Sequence, residues 1–124
     1  MGPVAKEVRL VDLEEVDKIA LPGGSWSRMM ITGARCPGAN SALGYSVFTP
    51  GTVTGMVSHA VEELAFVVQG QGELRLEERN LHYAAGQALY IPAHTWHAVA
   101  NTGEENVIML FTFPHPDYPP TERH

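Results

Sequence analysis

GTVTGMVSHAVEELAFVVQG, residues 51–70, is the stretch on which the reading of this chain turns. It holds His59 and, after three intervening residues, Glu63, set between strand-like apolar runs and closed by Gly70. On a strand alternate side chains share a face, so Val57 and His59 point the same way, as do Glu63, Ala65 and Val67. Ala60-Val61-Glu62 is short enough to be a bend between two adjacent strands, which leaves His59 and Glu63 together on one concave surface. A second stretch answers the first: GQALYIPAHTWHAVAN, residues 86–101. In it His97 shares a face with Val99, and Pro92 and Asn101 each fix a strand end. If the two segments are neighbours, two imidazoles and a carboxylate converge, a donor set suited to a divalent transition metal.

Outward from these stretches the chain reads as strand after strand. Trp26–Thr32, Gly44–Thr49 and Thr52–His59 come first, then a buried run over Leu64–Gln69. Glu73–Glu77 alternates, with Leu74 and Leu76 to one side, and a tight turn at 78–80 leads into Leu81–Tyr83. Ala88–Ile91, Trp96–Ala100 and Val107–Phe113 close the series. Short strands punctuated by Gly, Pro and Asn at intervals of roughly 8–12 residues predict an all-β sandwich or barrel, with the two-sheet jelly roll a natural candidate. One domain spans 1–124, with a core barrel over about 26–113. An N-terminal arm, 1–25, contains a frayed leader over 1–7, then a short strand and one helical turn. The tail, 114–124, has four prolines. It cannot pair as an interior strand and is expected over the outside of the barrel or across a partner subunit.

A chain of 124 residues is long enough to bury a core without staples. The formal net charge of -6 argues against nucleic acid or an anionic membrane surface as partner, because both would repel it. No apolar run approaches the ~20 residues of a membrane span, and a cytoplasmic location follows by default. Cys36 is the single cysteine, so no internal disulfide forms, and it reads as an incidental surface or half-buried thiol. His115 and His124 in the tail read as exposed. His82, flanked by Leu81 and Tyr83, faces the opposite side and is also expected in solvent.

The two stretches resemble the paired signatures of the cupin superfamily. The first signature is Gly, five residues, His-x-His, three or four residues, Glu, six residues, Gly. Here it reads Gly51, Val57-Ser58-His59, Glu63 and Gly70. The second is Gly, five residues, Pro-x-Gly, two residues, His, three residues, Asn; here it reads Gly86, Pro92-Ala93-His94, His97 and Asn101. Fifteen residues, Gln71 to Ala85, separate them, as in small cupins. The resemblance implies an all-β, single-domain double-stranded β-helix of jelly-roll type, with few or no helices and a metal site inside, commonly a homodimer. There are two departures. Val57 stands where the first signature histidine would be, and His94 where the second signature has glycine.

The resemblance implies His59, Glu63 and His97 as metal ligands, holding Fe(II) in the first instance or Mn, Ni or Zn. Losing one of four usual ligands opens positions for substrate or dioxygen; equally, it would mark a barrel that has shed its metal. The leading reading is a small metal-dependent enzyme, of dioxygenase, isomerase or lyase type, acting on a small oxygenated metabolite. The alternative is a non-catalytic barrel that binds a small ligand at a degenerate site. No dedicated general base stands out; His94 and Tyr45 are the candidates. Arg28 and Arg75 could anchor a substrate carboxylate but read more simply as solvated strand arginines. Tyr83, Tyr90, Trp96, Met109, Phe111 and Phe113 could line a cavity, although such residues on strands are more often core. Val107–Phe113 is apolar on both faces, which implies a second buried surface and hence a homodimer.

Overall fold

The computed structural model of the protein describes residues 7–124, so the frayed leader falls outside the described residues except for Glu7. Among the described residues eleven strands follow one another: β1 Ile19–Ala20, β2 Trp26–Ile31, β3 Ala42–Phe48, β4 Val57–His59, β5 Glu63–Gln69 and β6 Gln71–Leu76. The rest are β7 Asn80–Ala84, β8 Ala88–Ile91, β9 His97–Ala100, β10 Val107–Phe113 and β11 Thr121–Arg123. They form a six-stranded sheet, β1-β2-β3-β10-β5-β8, and a five-stranded sheet, β11-β4-β9-β6-β7. All pairings are antiparallel. The only helical pieces among the described residues are two 3-10 turns, Leu13–Glu15 and Pro22–Gly24. The fold is therefore the all-β jelly roll anticipated from the sequence.

The two sheets meet through the inward-facing half of each strand. Val67, Met109 and Val107 from the first sheet pack with Leu74 and Tyr83 from the second. The Tyr83 hydroxyl donates to the Ala100 carbonyl at 2.8 Å, and burial pushes its ionisation up, so it stays a neutral donor. Two glycines make the packing possible. A Cβ on Gly44 would strike the Phe111 ring, and one on Gly72 the Tyr83 ring and the Ala100 carbonyl. Each glycine lies opposite its aromatic partner in strand register, so the ring fills the space of the missing side chain.

Three expectations are corrected here. Leu64–Gln69 is not a buried run: Ala65 and Val67 are 7% and 0% exposed, but Leu64, Phe66 and Val68 are 46%, 45% and 48% exposed. A strand that is apolar on both faces looks like a doubly buried one in sequence. In the fold β5 turns its second face outward, beside Tyr90 of β8 and Leu110 of β10. The strand expected over Thr52–His59 shrinks to β4, because the Val99 amide donates to the Thr54 hydroxyl instead of a carbonyl, leaving only an isolated bridge at Val53. The tail does not merely lie outside. It returns as edge strand β11 on β4, with the Ala60 amide donating to the Pro120 carbonyl and the His124 amide to that of Met56. Edge positions tolerate neighbouring prolines, which is why this placement is possible.

Candidate metal centre

β4 ends at His59, the bend Ala60–Glu62 turns the chain, and β5 begins at Glu63 in the facing sheet. β9 lies beside β4, with Val57 opposite His97. The two segments are thus neighbours, and the three groups meet. His59 Nε2 lies 3.3 Å and His97 Nε2 3.4 Å from the same Glu63 oxygen, Oε1. One donor atom from each residue falls within 4.8 Å of the others. The histidines are 4% exposed and Glu63 14% at the side chain, so solvent does little to screen them.

Outer hydrogen bonds fix which ring nitrogen faces inward. The Thr121 hydroxyl gives its one proton to the Pro119 carbonyl, 2.8 Å away, so toward His59 Nδ1, at 2.7 Å, it can only accept. His97 Nδ1 lies 2.8 Å from the Thr95 carbonyl, which also only accepts. Both rings therefore carry their proton on Nδ1 and turn a lone pair on Nε2 toward the carboxylate. Three acceptors facing one another repel unless a cation, proton or metal ion, sits among them. Ligand atoms around one ion at bond lengths of about 2.0–2.2 Å stand about 3.0–3.5 Å apart, and the two imidazole–carboxylate separations fall in that range, so the donor set suits a divalent transition metal.

The ionisation pattern has the same cause. Burial alone would push Glu63 up; the hydrogen bonds and charges of His59 and His97 outweigh it and hold the carboxyl below its ordinary range. Burial pulls His97 down, but Glu63 and the Thr95 carbonyl outweigh it, and the imidazole is raised. Tyr118 is raised by burial first and then by the negative charge of Glu63.

The three groups stand in a cavity of about 370 Å³, of the size that holds a small metabolite. Its wall is mostly apolar, with Phe48, Val57, Val99, Met109, Phe111 and Phe113 contributing. Of the aromatic and Met residues weighed as possible lining, Met109, Phe111 and Phe113 do line it, Tyr83 is core and Tyr90 is 65% exposed.

The other candidates lie elsewhere. Tyr45 is not among the lining residues; strand parity puts it on the outer face of β3, stacked on Trp26 at 5.9 Å. His94 is exposed in the turn before β9, and its amide donates to the His59 carbonyl at 2.7 Å. Its φ of 60° explains why the cupin signature has glycine there, since non-glycine residues adopt such a backbone only at a cost. Arg28 corrects the expectation of a solvated arginine. It is 7% exposed, donates to the Leu13 carbonyl, lies 3.3 Å from Glu14 and stacks over Trp26. Arg75 is half-exposed and lies 3.5 Å from Glu73. His82 and His124 are exposed as expected, but His115 is only half so, its Nδ1 engaged by the Asp117 backbone.

What the sequence reading missed is the contribution of the tail. Tyr118 packs edge-on against His59, 5.5 Å between ring centres; Thr121 holds His59 Nδ1; and Arg123 lines the cavity. Nothing in the pattern of Pro114–His124 marks these residues, because the return onto β4 is a long-range contact. Replacing Thr121 with valine is expected to free the His59 ring and lower metal affinity about 10–100-fold without unfolding the protein. Competition with a chromophoric chelator measures it; affinity equal to that of the native chain would remove Thr121 from the site.

Comparison with known proteins agrees with the fold. The sequence profile of the cupin domain family matches residues 44–113, and the chain belongs to that family. It is 29% identical over 104 residues to the polyketide synthase protein CurC of Streptomyces cyaneus, covering 83% of this chain and 67% of CurC. It is 28% identical over 110 residues to auxin-binding protein 1 of Arabidopsis thaliana, covering 81% of this chain and 54% of that one. The chain thus spans only about half of the second relative. Among solved structures, the polyketide cyclase RemF of Streptomyces resistomycificus superposes with a TM-score of 0.77 at 21% identity, over 94% of this chain and 85% of RemF. That likeness speaks for the fold.

Proposed function

We propose that the protein is a small metal-dependent enzyme acting on an oxygenated metabolite, with His59, Glu63 and His97 as its metal ligands. One observation carries the reading: two buried imidazoles locked with Nε2 inward, facing one half-buried carboxylate, form an arrangement that is unfavourable until a cation enters. Fe(II) comes first for a two-His-one-carboxylate set, and Mn, Ni and Zn share the same donor preferences. When bound, such an ion supplies Lewis acidity toward a substrate carbonyl or enediol, or a site for dioxygen. CurC and RemF are named for polyketide chemistry, which favours a substrate rich in carbonyl groups and an isomerase- or lyase-type outcome.

The chain's own residues supply the rest. Val57, Val99 and Met109 exclude water from one side of the donor set, which strengthens every charge interaction there. Tyr118, kept protonated by burial and by Glu63, presents a hydroxyl that donates to a substrate oxygen. The outward apolar face of β5, β8 and β10 is the surface on which a second copy would pack in a homodimer.

The test is exchange of the α-protons of 1,3-dicarbonyl acids in heavy water, followed by NMR with Fe(II)-, Mn(II)- or Zn(II)-loaded protein. Exchange about tenfold or more above that given by the free metal salt, abolished by Glu63→Gln, is the expected result. Retention of the dicarbonyl with no acceleration by any of the three ions would instead make the barrel a binding module. Auxin-binding protein 1, a relative named for binding, keeps that second reading in view.

A further inference from the structure

The register of the second sheet sets three residues abreast: Arg123 of β11 lies opposite Val57 of β4, and Val57 opposite His97 of β9. Directly opposed residues of antiparallel strands share a face, and all three line the cavity. With strands about 4.8 Å apart, Arg123 and His97 are about 10 Å from each other at the backbone, with only the short valine between them. An imidazole at position 57, as the family signature has it, would occupy that gap. In this chain the gap is left open between the metal ligands and a guanidinium.

We propose that Arg123 anchors an anionic group of the substrate, so that the cavity takes a small organic acid with an apolar body, its acid group on Arg123 and another oxygen toward His97. This rests on the metal-enzyme reading only for the second contact. Arg123 is the one lysine or arginine among the described residues that line the cavity. The cavity's one carboxylate, Glu63, is engaged by both histidines. Among the described residues no carboxylate makes an ion pair with Arg123, which adjoins the Tyr118 hydroxyl instead. An arginine facing a carboxylate ligand forms paired, charge-assisted hydrogen bonds that lysine cannot match in geometry. On a chain of net charge -6 the overall field disfavours anions, so a local cation is what an acidic ligand requires. The apolar wall between Arg123 and His97 suits a ring or a short hydrocarbon body.

Benzoate and its neutral counterpart benzamide probe this, by calorimetric titration of the zinc-loaded and the metal-free chain. The native protein is expected to bind benzoate about tenfold or more tighter than benzamide in both forms. Arg123→Gln is expected to remove that preference and leave benzamide unchanged. Arg79→Gln, which deletes the same charge from an exposed turn, keeps it and controls for the long-range field. Benzoate bound equally by the native chain and Arg123→Gln overturns the proposal, as does a native chain that binds neither compound or both alike. Zinc uptake, measured separately, keeps the two readings apart. A chain that takes up no zinc yet prefers benzoate through Arg123 loses only the metal reading. Zinc uptake with benzoate indifferent to Arg123 loses only the anchor.

Discussion

Replacing His97 with alanine is expected to cost the protein about 10²–10³-fold in affinity for a divalent transition metal. Metal found at about one ion per chain in protein purified without chelator should fall to background. The magnitude follows from four-ligand zinc sites, whose apparent binding free energies of about 10–16 kcal/mol share out as about 2.5–4 kcal/mol per ligand. The substitution also leaves the half-buried Glu63 with one imidazole instead of two. Equal, near-zero metal in the native chain and the variant would refute the site. The native chain should also show a pH dependence of defined sign. Without metal, His97 is held above its ordinary pKa by Glu63 and the Thr95 carbonyl, and that proton sits on the nitrogen that must bind the ion. Affinity is therefore full above the raised pKa and falls by about tenfold per unit as pH drops below it, where each ion bound must displace a proton.

Val57→His is expected to act in the opposite direction. Val57 faces the cavity directly beside His97, so an imidazole there restores the fourth donor of the family signature. The gain cannot exceed the ~2.5–4 kcal/mol of a well-placed ligand, and side-chain ordering and imperfect geometry reduce it. A tightening of about tenfold or more in chelator competition is the result to look for. The same ring would fill the space between the ion and Arg123. Benzoate binding should weaken as metal binding strengthens, and exchange of dicarbonyl protons should slow. Metal affinity unchanged by the new imidazole would mean that position 57 does not face the ion, against the register of β4 and β9.

The centre of this protein was readable in sequence because strand parity and fixed spacing do most of the placing. His59, Glu63 and His97 each sit a set number of residues from a turn, and once β4 lies beside β9 they have little freedom to point elsewhere. Patterns that depend on which surface covers a strand were less readable. Leu64, Phe66 and Val68 are apolar but outward, because sequence cannot distinguish a face buried by the same chain from one left for another surface. Arg28 was misread for a similar reason. Its partners Leu13 and Glu14 lie in a 3-10 turn that packs back onto β2, and no local period announces that contact. Tyr118, Thr121 and Arg123 were the largest omission. Prolines correctly exclude an interior strand, but they say nothing of an edge, and the edge in question borders the cavity.

β11 is three residues long, lies at a sheet margin and carries the hydroxyl that orients His59. Peeling at such a margin is among the cheapest excursions a β protein makes. Each time it peels, the imidazole loses its tether, and the site would hold an ion less tightly. By reciprocity, a captured ion must hold the segment down by as much as the segment strengthens capture. A short stretch of backbone that supplies no metal ligand would thereby share in how firmly the site holds an ion.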